Sequence, residues 1–342
     1  MKRMIRGFQK SISMVVAGLS ILSAFASHDA QAQNLCVYDP GGKAGDYYRL
    51  LENYALEASG WGVSFDIKAY TDESTAVKDY EAGQCDAVLA TGARLQRFNT
   101  FPTTIEAIGA LPEYSHLKYM VKTLSTSKSA SAKLVKGGNE TAGIIPLGAV
   151  YLFVRDRNVD TVSELAGKRI ATLDYDKPSL VMVEKVGAII VPADLGSLGP
   201  KFNNGDVDAC YVSAPAYAPF ELWRGLGNTG GVVKLPLAQS TLQLLIHQDK
   251  FPEGFGAQSR TYFYNNFDKA LNIAKKAESA IDSKLWITLP TETLPSFDLM
   301  FQDTRVDLRD NHNAYHPQML SVMKKHRCQS DATRAECVDN KE

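Results

Sequence analysis

The chain is 342 residues long, and 37 Lys+Arg against 38 Asp+Glu leave a formal net charge of −1. So even a balance excludes a nucleic-acid footprint and a polybasic membrane patch. The length allows a sizeable core, with two domains the natural expectation.

Taken in chain order, the first element belongs to no domain. Lys2, Arg3, Arg6 and Lys10 form a basic start, Ser11 to Ala26 is apolar and weakly polar, and Ala30-Gln31-Ala32 is a small-x-small cleavage signal before Gln33. Residues 1–32 are therefore expected to be a secretory signal peptide. Cys36 follows Gln33-Asn34-Leu35, without the small residues of a lipobox, so no lipid anchor is expected. Cleavage leaves 310 residues with 33 Lys+Arg and 37 Asp+Glu, a net charge of −4. No later stretch approaches the length of a transmembrane helix.

LCVYD (35–39) is predicted to be a buried strand, followed by the turn PGGKAG. A helix follows from Asp46 to Ala58, because Tyr47, Leu50, Leu51, Tyr54, Ala55 and Ala58 share one face; Gly60 stops it. Val63, Phe65 and Ile67 alternate as a strand does, a short helix spans Ser74 to Ala82, and QCDAVLA is the next strand. The order strand, helix, strand, helix, strand is that of a parallel α/β sheet.

The same order returns later. Thr161-Val-Ser-Glu164 fits a capping box, RIATL (169–173) is a strand, and a helix runs from Ser179 to Val186. The strand AIIVP, a short helix ending near Gly205 and the strand DACYV complete it. GQCDAVLA (83–90) and GDVDACYV (205–212) thus mark one role in two lobes: a glycine ending a helix, then an inner strand. Asp86 and Asp208 are expected to bond nearby backbone amides rather than a ligand. The apolar stretches 144–156 and 240–251 have the character of hinge strands linking the lobes. From Gln258 onward, Tyr262, Phe263, Phe267, Ala270, Ile273 and Ala274 give an amphipathic stripe, expected to pack back on the first lobe. These signals place lobe 1 at residues 33–150 plus 248–342 and lobe 2 at 151–247.

Export makes disulfides permissible. Cys328 and Cys337 lie close together in the polar tail, where a bridge would pin the terminus. Cys36 and Cys85 each open a strand and can pair, leaving Cys210 as a buried inert thiol; other pairings stay open on sequence alone.

The stretches SELAGKRIATL and EKVGAIIVPADLGSLGPKFNNGDVDACYVSAPAY, with GQCDAVLATGAR before them, resemble TRAP-type (DctP-like) periplasmic solute-binding proteins. More closely, the chain resembles the AdeT-type group, exported proteins often labelled as associated with RND efflux and aminoglycoside resistance. The resemblance implies a type II periplasmic-binding-protein fold: two α/β lobes, two hinge segments, and C-terminal helices on the first lobe. It also implies residence in the periplasm. The family holds a ligand carboxylate with an arginine on the second-lobe strand. Here the matching position is Ala171, and Arg169 stands two residues earlier, a shift of about 7 Å on the same strand face.

In open α/β sheets, ligands bind beyond the C-terminal strand ends. That rule selects Tyr38, Asp39 and Lys43; Thr91 and Arg94; Asp174, Tyr175 and Asp176; and Ser213 and Tyr217, with Arg169 as a further candidate. Asp39, Asp174 and Asp176 would face an amine, and Lys43 and Arg94 a carboxylate. Any one loop Asp more often caps a turn than holds a ligand. PGGKAG lacks the spacing of a phosphate loop. His312 and His316 lack the glutamate of a zinc-protease helix, with Pro317 against them, and Asn139-Glu-Thr141 is an incidental sequon. No nucleophile elbow is present, so no enzyme, metal or cofactor is expected.

The expected function is a periplasmic solute-binding protein, a monomer that captures a small polar organic molecule between its lobes for membrane transporter subunits. The alternative is an accessory to multidrug efflux or aminoglycoside resistance that binds a cationic drug.

Overall fold

The computed structural model describes residues 32–342; the signal-peptide expectation lies outside them. Among the described residues eleven strands form one mixed sheet: β1 (Gln33–Tyr38), β2 (Phe65–Tyr70), β3 (Ala87–Thr91), β4 (Val135–Lys136), β5 (Asn139–Val154), β6 (Arg169–Leu173), β7 (Ile189–Ala193), β8 (Ala209–Ser213), β9 (Gly231–Val233), β10 (Ala238–His247) and β11 (Trp286–Ile287). Eight of them run in the order β2-β1-β3-β10-β5-β8-β6-β7, while β4 and β9 pair with β5, and β11 with β9. Strands β1, β2 and β3 are parallel, as are β6, β7 and β8. Each trio ends on an antiparallel strand: β10 beside β3, and β5 beside β8. Strands β5 and β10 also pair with each other, with a register shift at Ser240/Thr241. The chain is therefore bilobed, and two long extended segments carry it from one α/β half to the other and back. Both lie where the apolar runs 144–156 and 240–251 placed the crossings.

Among the described residues, nine helices have nine residues or more: α1 (Asp46–Ser59), α2 (Glu73–Glu81), α3 (Tyr114–Thr126), α4 (Lys177–Lys185), α5 (Leu195–Asn204), α6 (Phe255–Asn265), α7 (Phe267–Ser279), α8 (Leu294–Asp310) and α9 (Pro317–Ser330). Helix α1 buries Tyr47, Leu50, Leu51, Tyr54 and Ala58, the face its periodicity assigns. Phe255 and Phe263 of α6 and Ala270 of α7 join the same core as Leu35 and Tyr54, and the Tyr54 and Phe263 rings lie 4.9 Å apart. The stripe Tyr262–Ala274 crosses a helix boundary at Asn266, where the backbone leaves helical geometry. Farther on, α8 leans on α4, with Lys185 and Asp307 3.6 Å apart.

The repeated octapeptide has one structural cause. Asp86 donates its amide to the Asn34 carbonyl (2.9 Å), and its carboxylate accepts from the Asn34 amide (2.8 Å). Asp208 does the same to Arg169, at 2.8 Å each way. The carbonyls of the two aspartates then accept from His247 and Arg155, both at 3.0 Å. Each aspartate thus clips its own strand to the start of a parallel neighbour and to the end of a crossing strand. Gly83 and Gly205 before them take φ of +72° and +83°, open to glycine at little cost. Asp86→Ala leaves the Asn34 amide without its acceptor and should lower stability by about 1–2 kcal/mol. Urea denaturation checks this, and an unchanged midpoint would refute the clip.

The Thr161–Glu164 box forms only by half. The Glu164 carboxylate accepts from the Asp160 and Thr161 amides (2.9 and 3.1 Å), but the Thr161 hydroxyl turns to Ser163. The segment is one 3₁₀ turn, Ser163–Leu165, entered from Val162, so Thr161 stands one residue too early to cap it. A complete box stands at α5, between Asp194 and Ser197.

Cys36 pairs with Cys85, Cys328 pairs with Cys337, and Cys210 is free and buried.

Candidate functional site

A cavity of about 360 Å³ opens where the C-terminal ends of the two parallel trios face each other. Tyr38, Asp39, Thr91, Tyr175, Asp176 and Ser213 line it. Most of the remaining wall is apolar, with Leu147, Leu173, Met182, Leu195, Val212, Phe220, Leu242 and Ile273 prominent. Such a surface holds an organic molecule by burial and leaves orientation to a few polar groups.

The loop aspartates act mainly on the backbone. Asp39 is buried and accepts from the amides of Gly41 (2.8 Å), Tyr47 (2.9 Å) and Tyr48 (3.0 Å), which satisfies free donors at the start of α1. Asp176 caps α4 by accepting from the Ser179 amide (3.3 Å) and hydroxyl. Burial raises its carboxyl above the usual range. Asp174 is exposed, as is Lys43 in the turn Gly42–Ala44; neither lines the cavity. Tyr217 is buried beside Phe153 and Trp223, behind the cavity wall.

The two candidate arginines are both engaged by acids. Arg169 opens β6, at the strand end away from the cavity, and its guanidinium meets Asp208 at 2.8 and 3.2 Å. Arg94 lies just outside the cavity wall, 3.4 Å from the Glu73 carboxylate, with its guanidinium 3.3 Å from the centre of the Tyr175 ring. Glu73 is buried, accepts from the Thr91 amide (2.7 Å), and lies 3.4 Å from the Tyr175 hydroxyl. Arg94, Glu73 and Tyr175 thus join the loop after β3 to the loop after β6 across the cleft, by ion pairing and cation–π contact. Tyr175 and Tyr38 keep their protons: burial raises both hydroxyls, and Glu73 raises them further.

The wall also contains groups that the strand-end rule does not select. Glu106 ends the single 3₁₀ turn Thr104–Glu106, so no strand end announces it. One oxygen accepts from the Thr241 amide (2.7 Å) and hydroxyl. Burial pushes its carboxyl up to about 8 against those two bonds, with the charges of Asp176 and Glu73 adding to the rise. A Cβ on Gly92 would lie 2.3 Å from Glu106 Oε1, so only glycine lets the carboxyl approach this turn. Tyr211 of β8 also lines the cavity; it is buried, and its hydroxyl has no hydrogen-bond partner among the described residues. His312 and His316 stand apart from any metal geometry. His316 donates its amide to the Thr104 hydroxyl (2.9 Å), and no cluster of His, Cys, Asp and Glu fit for a metal occurs among the described residues.

Electrostatically, the lining is one-sided. Asp39, Asp46, Glu106 and Asp176 are among the lining residues, Asp46 with its carboxylate 2.6 Å from Arg49, and no lysine, arginine or histidine is.

Comparison with known proteins supplies a context. Residues 58–342 match the family described as solute-binding protein AdeT 1/2. A probable solute-binding protein, AdeT1 of Acinetobacter baumannii, is 37% identical over 306 residues, covering 90% of this chain and 100% of that one. Among solved structures, a TRAP periplasmic solute-binding protein of Desulfovibrio desulfuricans with bound sn-glycerol-3-phosphate superposes with a TM-score of 0.71 at 12% identity. That match covers 86% of this chain and 97% of the other. One from Rhodoferax ferrireducens with bound malonate gives 0.68 at 17% identity, covering 87% and 98%.

Proposed function

The chain belongs to the AdeT 1/2 family of periplasmic solute-binding proteins, and from that premise we propose that its cleft captures a small organic amine for a membrane transporter. The observation that carries this is the make-up of the wall: four acidic residues and no basic one among the described lining residues, with Asp39 and Asp176 held by backbone amides, Asp46 by Arg49, and Glu106 left with one oxygen unbonded. Malonate and sn-glycerol-3-phosphate, held by proteins of like fold, are anions. An anion here would find no lining cation to pair with, so the cost of stripping its water would go uncompensated. The position where the family's arginine would stand is Ala171, fully buried, and Arg169 is turned to Asp208.

The same make-up supports a second reading, capture of a cationic drug in a resistance or efflux context. Size favours the first. About 360 Å³ is at the small end of ligand cavities, suited to a metabolite more than to a multi-ring aminoglycoside.

A thermal-shift series tests both readings with malonate, galacturonate and glycerol-3-phosphate as anions, and putrescine, glucosamine and kanamycin as cations. A ligand at 100 times its Kd adds about 2.7 kcal/mol of stability, a visible rise in midpoint. Putrescine or glucosamine should give that rise and the anions none. A response to anions alone would overturn the amine reading, and a response to kanamycin alone would favour the drug.

A further inference from the structure

We propose that Glu106 is the residue that selects for an amine, and that ligand binding releases one proton from its carboxyl. This deepens the amine reading and rests on it. The geometry is specific to one oxygen. Glu106 Oε1 is held by the Thr241 amide and hydroxyl, whereas Oε2 makes no hydrogen bond with the described residues, and Glu106 lines the cavity. Glycine at position 92 is what admits the carboxyl, since a Cβ there would overlap it.

The surroundings make the free carboxyl an acid that keeps its proton. The titratable groups around it are Glu73 from α2, Asp176 from the turn before α4 and Tyr315 before α9. The nearby cation, Arg94, is paired with Glu73. Nothing basic at the wall offsets burial, which lifts the Glu106 carboxyl to about 8. A ligand ammonium changes that balance. It keeps its own protons and donates one N–H to Oε2 as a charge-assisted hydrogen bond, while the carboxyl O–H proton leaves to solvent. The bound pair is then ammonium and carboxylate, with one proton released per ligand. A neutral ligand would leave the carboxyl protonated and release none.

The sign for affinity follows from linkage. Below the carboxyl's free value each pH unit costs the amine about tenfold, and above it the dependence vanishes. Binding should therefore be about 50-fold weaker at pH 6 than at pH 8. Calorimetry of the full exported chain with putrescine, whose ammonium groups stay largely protonated over this range, in two buffers of different ionisation heat, counts the protons directly.

About one proton should be released near pH 6.5 and close to none at pH 9. E106Q keeps an acceptor for the Thr241 amide, so folding is preserved; it should lose tenfold or more in affinity at pH 8 and lose the proton release. T241V removes the hydroxyl bond that holds the carboxyl down, and should move the pH midpoint of binding upward. That shift is one a purely structural role for Glu106 would not produce. Amine binding without proton release, with E106Q unchanged, would sink the proposal and leave the amine reading intact. No amine binding by the parent chain at any pH from 6 to 9 would overturn the amine reading itself, and the proposal with it.

Discussion

Replacing Glu336 with alanine should destabilise the fold by about 3–5 kcal/mol, the cost of stripping a partner from a buried ion-pair network. Arg305 and Arg327 are among the most deeply buried side chains of the described chain, and Glu336 meets both. Its carboxylate accepts Nε and Nη2 of Arg327, both at 2.8 Å, and Nη2 of Arg305 at 2.6 Å. Glu342 accepts from Nε of Arg305 and shares Nη2 of Arg327 with Glu336. The third nitrogen of each guanidinium donates to a backbone carbonyl, Ile108 at 2.8 Å and Ala110 at 2.9 Å. Without Glu336, two cations would share one carboxylate in a dry interior. Burial alone would raise the Glu336 carboxyl, but the hydrogen bonds and charge of Arg327, with Arg305 and Arg334, outweigh it and hold it at about 2. A group depressed in the fold stabilises above its ordinary value and loses that contribution as pH falls through the folded one. Stability should thus decline between about pH 4.5 and pH 2, and E336Q should flatten the decline. Denaturant melts of the parent, E336A and E336Q at pH 7 and pH 3 decide it. A loss under 1 kcal/mol in E336A would mean that Glu342 alone suffices.

That network shows where sequence reasoning stops. Residues 331–342 look like a polar, fraying tail, yet Glu336 and Glu342 fold inward because two arginines from α8 and α9 await them. Nothing in the periodicity of those helices marks Arg305 or Arg327 as internal. The parallel trios, by contrast, are legible because each strand is an apolar run bounded by glycine, and a repeat of eight residues exposes the symmetry. The crossing strands are legible as well, since both are long, apolar and extended.

The site divides along the same line. The strand-end rule reaches Tyr38, Asp39, Thr91, Tyr175, Asp176 and Ser213, because the C-terminal ends of parallel strands must converge on the cleft. It does not reach Glu106 or Glu73. Those two come from a 3₁₀ turn and a helix start, and become important only when tertiary packing sets them against Thr241, Arg94 and Tyr175. Nor does the rule discriminate between a residue beside the cleft and one that has found a better partner. Arg169 illustrates this: the sequence offers a strand arginine, while the fold pairs it with Asp208 through two hydrogen bonds on the exposed surface.

Removing the Cys36–Cys85 bridge as the double variant C36A/C85A should cost about 4 kcal/mol, against about 2.6 kcal/mol for C328A/C337A. The order follows from loop length. The first bridge spans 49 residues and the second 9, and cross-linking the longer loop removes more freedom from the unfolded chain. Both cysteines of the first bridge are fully buried, packed with Val77, Tyr80 and Val88, so alanine adds only a small void. The bridge also joins β1 to the residue before Asp86, which steadies the clip at Asn34 from the covalent side. An oxidising periplasm keeps such a bond formed. Cys210 provides the readout. It is the one free thiol, buried, and burial raises it above the usual thiol range, so a thiol reagent reaches it only when the structure opens. Labelling of Cys210 under mild urea should accelerate most in C36A/C85A, less in C328A/C337A and least in the parent. If the two double variants label at equal rates and melt at equal urea, chain entropy is not what the longer bridge contributes, and its role reduces to local packing beneath β1 and β3.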